Sequence, residues 1–242
     1  MTEPYRKLPE EPTPAHLAPL LLGLALIAAL LRAVDLLLLV VRPRLLLAYL
    51  RVISAQLRRT PYRETSFEKL HAARRAQKSV AELTYGETPV VTAARLLRAA
   101  GVGARSTVVD LGAGRGRVLL AARLLGARAR GVEILEAHVA EVGPVLSAVG
   151  AELERGDATC ASLEGATHIF LAWTCFSEVT RMKIQERLDS VPDGTRVVTL
   201  NWPIRGEGFA VVREGRALCS WGPTPYYVSE RRRATADATR SP

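Results

Sequence analysis

Cysteine is scarce in this 242-residue chain, and the three present, Cys160, Cys175 and Cys219, form no C-x-x-C pair. A disulfide framework is excluded, and four histidines that do not cluster with the thiols leave no metal-ligand set. Reduced thiols in a reducing compartment follow. Lysine is rarer than the basic charge suggests: 4 of 33 basic residues, the rest arginine, a bias that reflects a GC-rich, bacterial genome rather than selected chemistry. Aromatics are 5% of the chain and nowhere interleave with a basic patch as in a nucleic-acid-binding motif. What is present in quantity is hydrophobic surface (48%) and positive charge (+9), on a chain long enough for one ordinary domain plus something smaller.

The apolar residues are unevenly spread. Residues 1–16 are polar and carry Pro4, Pro9, Pro12 and Pro14, so a disordered leader is expected. Leu17 to Val41 is then interrupted only by Arg32 and Asp35. A run of that length can cross a bilayer about 30 Å thick as a helix. The two charges oppose insertion, each by about 3 kcal/mol near the middle of a span. Their separation of three places them on one helix face, where they can pair. The reading is a retained transmembrane helix, with a membrane-surface or buried core helix as the alternative.

Residues 42–80 form a basic juxtamembrane region. Arg42 to Lys78 holds ten basic residues against Glu64 and Glu68, so the C-terminal side faces the cytoplasm, at the bacterial inner membrane. Leu45, Tyr49, Val52, Ile53 and Leu57 recur at helical spacing, as in an amphipathic helix resting on anionic headgroups. A solvated linker helix is the plainer alternative.

The informative stretch is Ser106 to Leu135. A short apolar strand ends in Asp110, a turn with Gly112, Gly114 and Gly116 follows, and a helix-period pattern runs from Val118 to Leu125. Glycines there let the backbone approach a ligand. A second strand, Ala129 to Ile134, brings Glu133 to the same sheet edge. The dinucleotide fingerprint G-x-G-x-x-G does not fit, because Arg117 stands where its third glycine would be.

The pattern D-x-G-x-G-x-G, with an acid ending the next strand, resembles the seven-strand (class I) S-adenosylmethionine (SAM) methyltransferases. The resemblance covers about residues 81–230. It implies an α/β, Rossmann-like, doubly wound seven-strand sheet following the N-terminal membrane helix, and SAM as cofactor. It implies that Asp110, Gly112, Ala113, Gly114 and Gly116 cradle the methionine part and that Glu133 takes the ribose hydroxyls. Asp157, after the third strand (Ala151–Arg155), stands where the family contacts adenine; as a plain residue it equally suits a turn cap. Ala172 closes the fourth strand (His168–Ala172) beside the reacting methyl.

Upstream, Thr84-Tyr85-Gly86-Glu87 is similar to the T-Y-G-E loop of telomeric-silencing-type histone lysine methyltransferases, which implies that Thr84 and Glu87 fold over the cofactor and Tyr85 lines the lysine channel. The loop Trp173-Thr174-Cys175-Phe176 lacks the asparagine of that family and also the N-P-P-Tyr loop of base methyltransferases. A membrane helix before a compact SAM domain also resembles the mitochondrial lysine methyltransferases. Tyr85, Trp173 and Phe176 are the catalytic candidates, with Trp202, as aromatic walls of an acceptor channel. A helix at Ser177–Leu188 and a strand at Thr195–Leu200 follow. Phe209 to Val228 then reads as a terminal hairpin turning at Glu214-Gly215, and 231–242 as a disordered tail. The expected activity is methyl transfer to a protein lysine, nucleic acid not being a partner; a lipid or small hydrophobic acceptor, or SAM binding without turnover, are the alternatives.

Overall fold

The computed structural model of the chain describes residues 18–58, 86–206 and 208–232. Two N-terminal helices come first, α1 (Ala18–Leu39) and α2 (Pro43–Arg58), and then α3 (Val90–Ala99). The alternating part follows: β1 (Thr107–Leu111), α4 (Arg117–Leu124), β2 (Arg128–Glu133), α5 (Glu136–Ser147), β3 (Ala151–Arg155), β4 (His168–Ala172), a 3-10 turn (Trp173–Cys175), α6 (Glu178–Leu188) and β5 (Arg196–Leu200). A long hairpin, β6 (Phe209–Cys219) and β7 (Gly222–Arg231), ends the described chain.

The seven strands form one sheet in the order β3-β2-β1-β4-β5-β7-β6. The first five are mutually parallel, and the hairpin adds β7 antiparallel to β5. Order reverses at β1, which pairs with β2 on one side and β4 on the other, and that switch opens a crevice at the strands' carboxyl ends. Both faces of the central strands are covered, so they read as continuous apolar runs rather than alternating ones. Val108, Phe170 and Val198 face a cluster built with α2, α3, α4 and α5; Val109, Ile169 and Val197 face a second one built with α6.

The hairpin turns elsewhere than expected. Glu214 and Gly215 lie within β6, paired with Tyr227 and Tyr226, and the chain reverses at Ser220-Trp221. Gly215 is there because the Tyr226 ring lies over it: a Cβ would meet Cε1 at 3.0 Å. A glycine that makes room for a ring is indistinguishable, in sequence, from one that makes a turn.

The N-terminal helices differ more from expectation. Arg32 and Asp35 do not pair with each other. Asp35 is fully buried and accepts hydrogen bonds from the backbone N–H of Val90 (3.1 Å) and Val91 (2.6 Å) and from the Tyr49 hydroxyl (2.8 Å). The residue preceding α3 is Pro89, which supplies no side-chain cap, so Asp35 caps that helix from a distance. Arg32 reaches Glu87 instead, at 3.7 Å. The apolar face expected to rest on headgroups is also taken: Leu45, Tyr49 and Val52 are buried on the domain, where α2 packs against α4 and α5, while Leu57 is exposed. The part of the basic region from 59 to 80 lies outside the described residues.

Asp35→Ala removes the α3 cap and leaves Arg117, the buried arginine beside it, with less counter-charge. The expected loss is about 3 kcal/mol of stability. Urea denaturation followed by circular dichroism checks it, with Arg32→Ala, a half-exposed partner, costing less than about 1 kcal/mol.

Candidate functional site

The cleft lies at the carboxyl edge of β1, β2 and β4. β1 delivers Asp110, and the turn after it contributes Gly112, Ala113 and Gly114 to the wall. The turn closes on Gly116, whose φ of 74° is left-handed; any side chain there would also collide with Leu146 of α5. β2 delivers Glu133, 6% exposed. Its carboxylate accepts from the Gly114 N–H at 2.7 Å and the Leu135 N–H at 2.9 Å. Two backbone donors fix its orientation at the cleft wall. His138 from α5, not anticipated from sequence, is buried at the same wall with Nδ1 3.9 Å from Glu133.

Asp110 is 3% exposed, and its carboxyl is pushed up to about 8, first by burial and then by the charge of Glu133. A buried acid held near neutrality ionises when a cation arrives beside it. Glu87 also lines the cleft, but its Oε2 pairs with Arg117 at 2.9 Å, so only part of its carboxylate serves a ligand. Arg117 in turn donates to Gln56 of α2 at 2.8 Å and lies 4.0 Å from Asp35 of α1. The residue whose presence argued against a dinucleotide turn thus ties the glycine loop to both N-terminal helices.

The remaining candidates divide. Ala172 and Phe176 line the cleft, and the Phe176 ring rests over Gly112, 3.1 Å from where a Cβ would stand. Trp173 does not line it: at 2% exposure it belongs to the cluster of Ile184, Leu188 and Val191 on the α6 side. A continued 3-10 turn would stack the two on one face, since side chains three apart eclipse in it; the turn ends at Cys175 and Phe176 is already extended (φ −72°, ψ 130°), which lets them part. Trp202 stacks outside the cleft under Arg181, 4.3 Å from its ring centre. Asp157 caps its own turn, accepting from the Thr159 N–H at 2.8 Å, while its neighbours Gly156 and Ala158 line the cleft. Thr84 and Tyr85 lie outside the described residues. The aromatic that sequence reasoning missed is Trp221, at the hairpin turn: it lines the cleft and covers Gly86, where a Cβ would meet its ring at 2.8 Å. The glycine of T-Y-G-E was the available signal.

No protein-family model matches the sequence, and no curated protein matches it either. Solved structures do. The chain is similar to an RNA methyltransferase from Salinibacter ruber in complex with S-adenosyl-L-homocysteine (25% identity over 64% of this chain and 99% of that one, TM-score 0.51). It is also similar to TrmN from Thermus thermophilus (19% identity, 60% and 49% of the two chains, TM-score 0.52) and to PH1948 from Pyrococcus horikoshii (17%, 62% and 89%, TM-score 0.50). The fold is that of the class I SAM-dependent methyltransferases.

Two measurements test the cleft. Glu133→Ala is expected to weaken SAM binding about 100-fold, near 2.7 kcal/mol, by calorimetric titration. For Asp110 the sign follows from its raised value. Between the ordinary 3.8 and about 8 the folded protein holds a proton that the unfolded chain has lost. Ligand-free stability therefore falls as pH rises through that window. Melting temperatures should decline with pH in the wild type and much less in Asp110→Asn.

Proposed function

We propose that the chain is a SAM-dependent methyltransferase that modifies a protein lysine while attached to a membrane through α1. The observation that carries the activity is the convergence of Asp110, the glycine turn and Glu133 on one cleft at the topological switch point. Bound there, SAM would supply an electrophilic methyl group on a sulfonium. Glu133, held by two backbone donors, suits the ribose hydroxyls; Asp110 suits the cofactor's ammonium group and would release its proton on binding.

The enzyme's own part in such a displacement is alignment and exclusion of water. Phe176 and Trp221 both line the cleft, one from the loop after β4 and one from the β6–β7 turn. Between them an amine is desolvated, which lowers its pKa from about 10.4 toward the neutral nucleophile. Their ring faces also attract the methylated ammonium product. Trp221 takes the place that sequence reasoning assigned to Trp173. The T-Y-G-E segment supports the lysine reading because its last two residues, Gly86 and Glu87, line the same cleft.

A second reading, methyl transfer to RNA, is favoured by the likeness to the Salinibacter enzyme. Tritiated SAM incubated with the protein and a bacterial membrane extract separates the two. Label lost on protease treatment and retained after ribonuclease supports lysine; the reverse supports RNA. Phe176→Ala and Trp221→Ala are expected to lower turnover at least about tenfold while SAM affinity changes less than about threefold. A protein that binds SAM yet forms no S-adenosylhomocysteine with any acceptor would instead be a sensor.

A further inference from the structure

α1 is long and apolar enough to cross a membrane, with mean hydropathy 2.3 over Leu22–Leu39. Its contacts say how it meets one. Leu24 reaches to 4.0 Å from where a Cβ on Gly222 would stand, in the β6–β7 turn beside Trp221. Arg32 meets Glu87, Asp35 caps α3, and Leu39 is fully buried. From Leu24 to Leu39 the helix therefore lies along the domain for about 22 Å at 1.5 Å per residue. Six described residues precede Leu24 in α1, about 9 Å, against a hydrocarbon core of about 30 Å. A perpendicular span would draw the Ser220–Gly222 turn and the charges at Glu87 and Asp35 into lipid, where unsatisfied backbone and charge are costly.

The opposite face of α1 is of one character. Among the described residues from 19 to 41, every exposed position is proline, alanine, leucine or valine. Leu22, Leu26, Leu30, Leu37, Val40 and Val41 are each 59–73% exposed. At the end of this stripe the chain turns into α2, where Arg42, Arg44, Arg51 and Arg58 are exposed and no acid stands between 42 and 58. Leu47 and Leu50 continue the apolar surface among those arginines. An apolar ridge flanked by cations matches the interface of an anionic leaflet, with leucines below the headgroups and guanidiniums among the phosphates.

We propose that α1 lies in the plane of the membrane, its Leu22-to-Val41 ridge sunk into one leaflet of anionic phospholipid, the domain on the aqueous side and the cleft at the interface. This rests on the reading of α1 as a membrane element and replaces its spanning mode. The cleft follows α1 because Glu87 lines the cleft and pairs with Arg32, and because Gly222, beside Leu24, adjoins the cleft-lining Trp221. Acceptors held at or near the membrane surface are then presented to the methyl group at a set height.

The test uses the full chain with Cys160, its exposed thiol, changed to serine, and single cysteines at Leu22→Cys, Leu30→Cys and Val41→Cys carrying an environment-sensitive fluorophore. Each is mixed with phosphatidylcholine vesicles with and without phosphatidylglycerol, and depth is read with lipids quenching at two heights. The expected result is one shallow depth at all three positions and binding at least tenfold tighter with phosphatidylglycerol. Leu30 at the bilayer centre, with Leu22 and Val41 near opposite surfaces, overturns the in-plane mode while leaving the membrane reading intact. No quenching at any position, with a dimer by light scattering, overturns both and assigns the ridge to a second copy. Leu26→Glu, on the exposed ridge, is expected to lower vesicle binding at least tenfold without changing SAM affinity; unchanged vesicle binding would contradict the proposal independently.

Discussion

Four charged side chains from three parts of the chain meet at the cleft: Arg32 and Asp35 of α1, Glu87 of the entry loop, and Arg117 at the start of α4. Their formal charges cancel, and three of them are at most 5% exposed. A buried guanidinium is tolerable only with acceptors of good geometry, and Arg117 has a carboxylate at 2.9 Å, an amide oxygen at 2.8 Å and the Tyr49 ring 5.6 Å below it. Removing one of the three buried members strands the others, so the network fixes α1, α2, the Glu87 loop and the glycine turn relative to one another as a unit. Its role is one of specification more than of net stability, since such clusters roughly break even against apolar packing.

From that unit the rest of the site follows. The glycine turn is clamped from below by Arg117 and from the side by Glu133, whose carboxylate accepts the Gly114 N–H. Asp110, at the head of that turn, is deprived of water and lies in the field of Glu133, which raises its pKa. The N-terminal helices are thereby wired to the ligand-binding turn: whatever holds α1 also holds the loop that meets the cofactor.

The motif-bearing half of the fold was legible because its signals are local. Asp110, the glycines and Glu133 are placed by a strand, a turn and a strand adjacent in sequence, and β3 and β4 occupy the residues expected of them. The aromatic wall was not legible. Trp173 and Phe176 are three residues apart in one loop, yet one enters the core and the other the cleft, because the 3-10 turn ends before Phe176, whose backbone is extended, and because there is space for Trp173 beside α6. Trp221 escaped notice because the hairpin turn was sought at Glu214-Gly215, where the glycine instead accommodates Tyr226.

By itself the sequence determined the strand and helix pattern, the acid-glycine-acid signature with the cofactor class it suits, and the presence of one long apolar helix. These depend on periodicity and on residues a few positions apart, which every chain carries in its linear order. Only the tertiary structure decided the partners of Arg32 and Asp35. In the linear order each is the other's nearest counter-charge; in the fold, Asp35 lies against amides 55 and 56 residues away and Arg32 against Glu87. That exchange turns one side of the helix toward the domain and leaves the apolar residues of the other side exposed. Which face of an all-apolar helix meets protein is set by the groups that need burial partners, and those partners become neighbours only when the chain has folded.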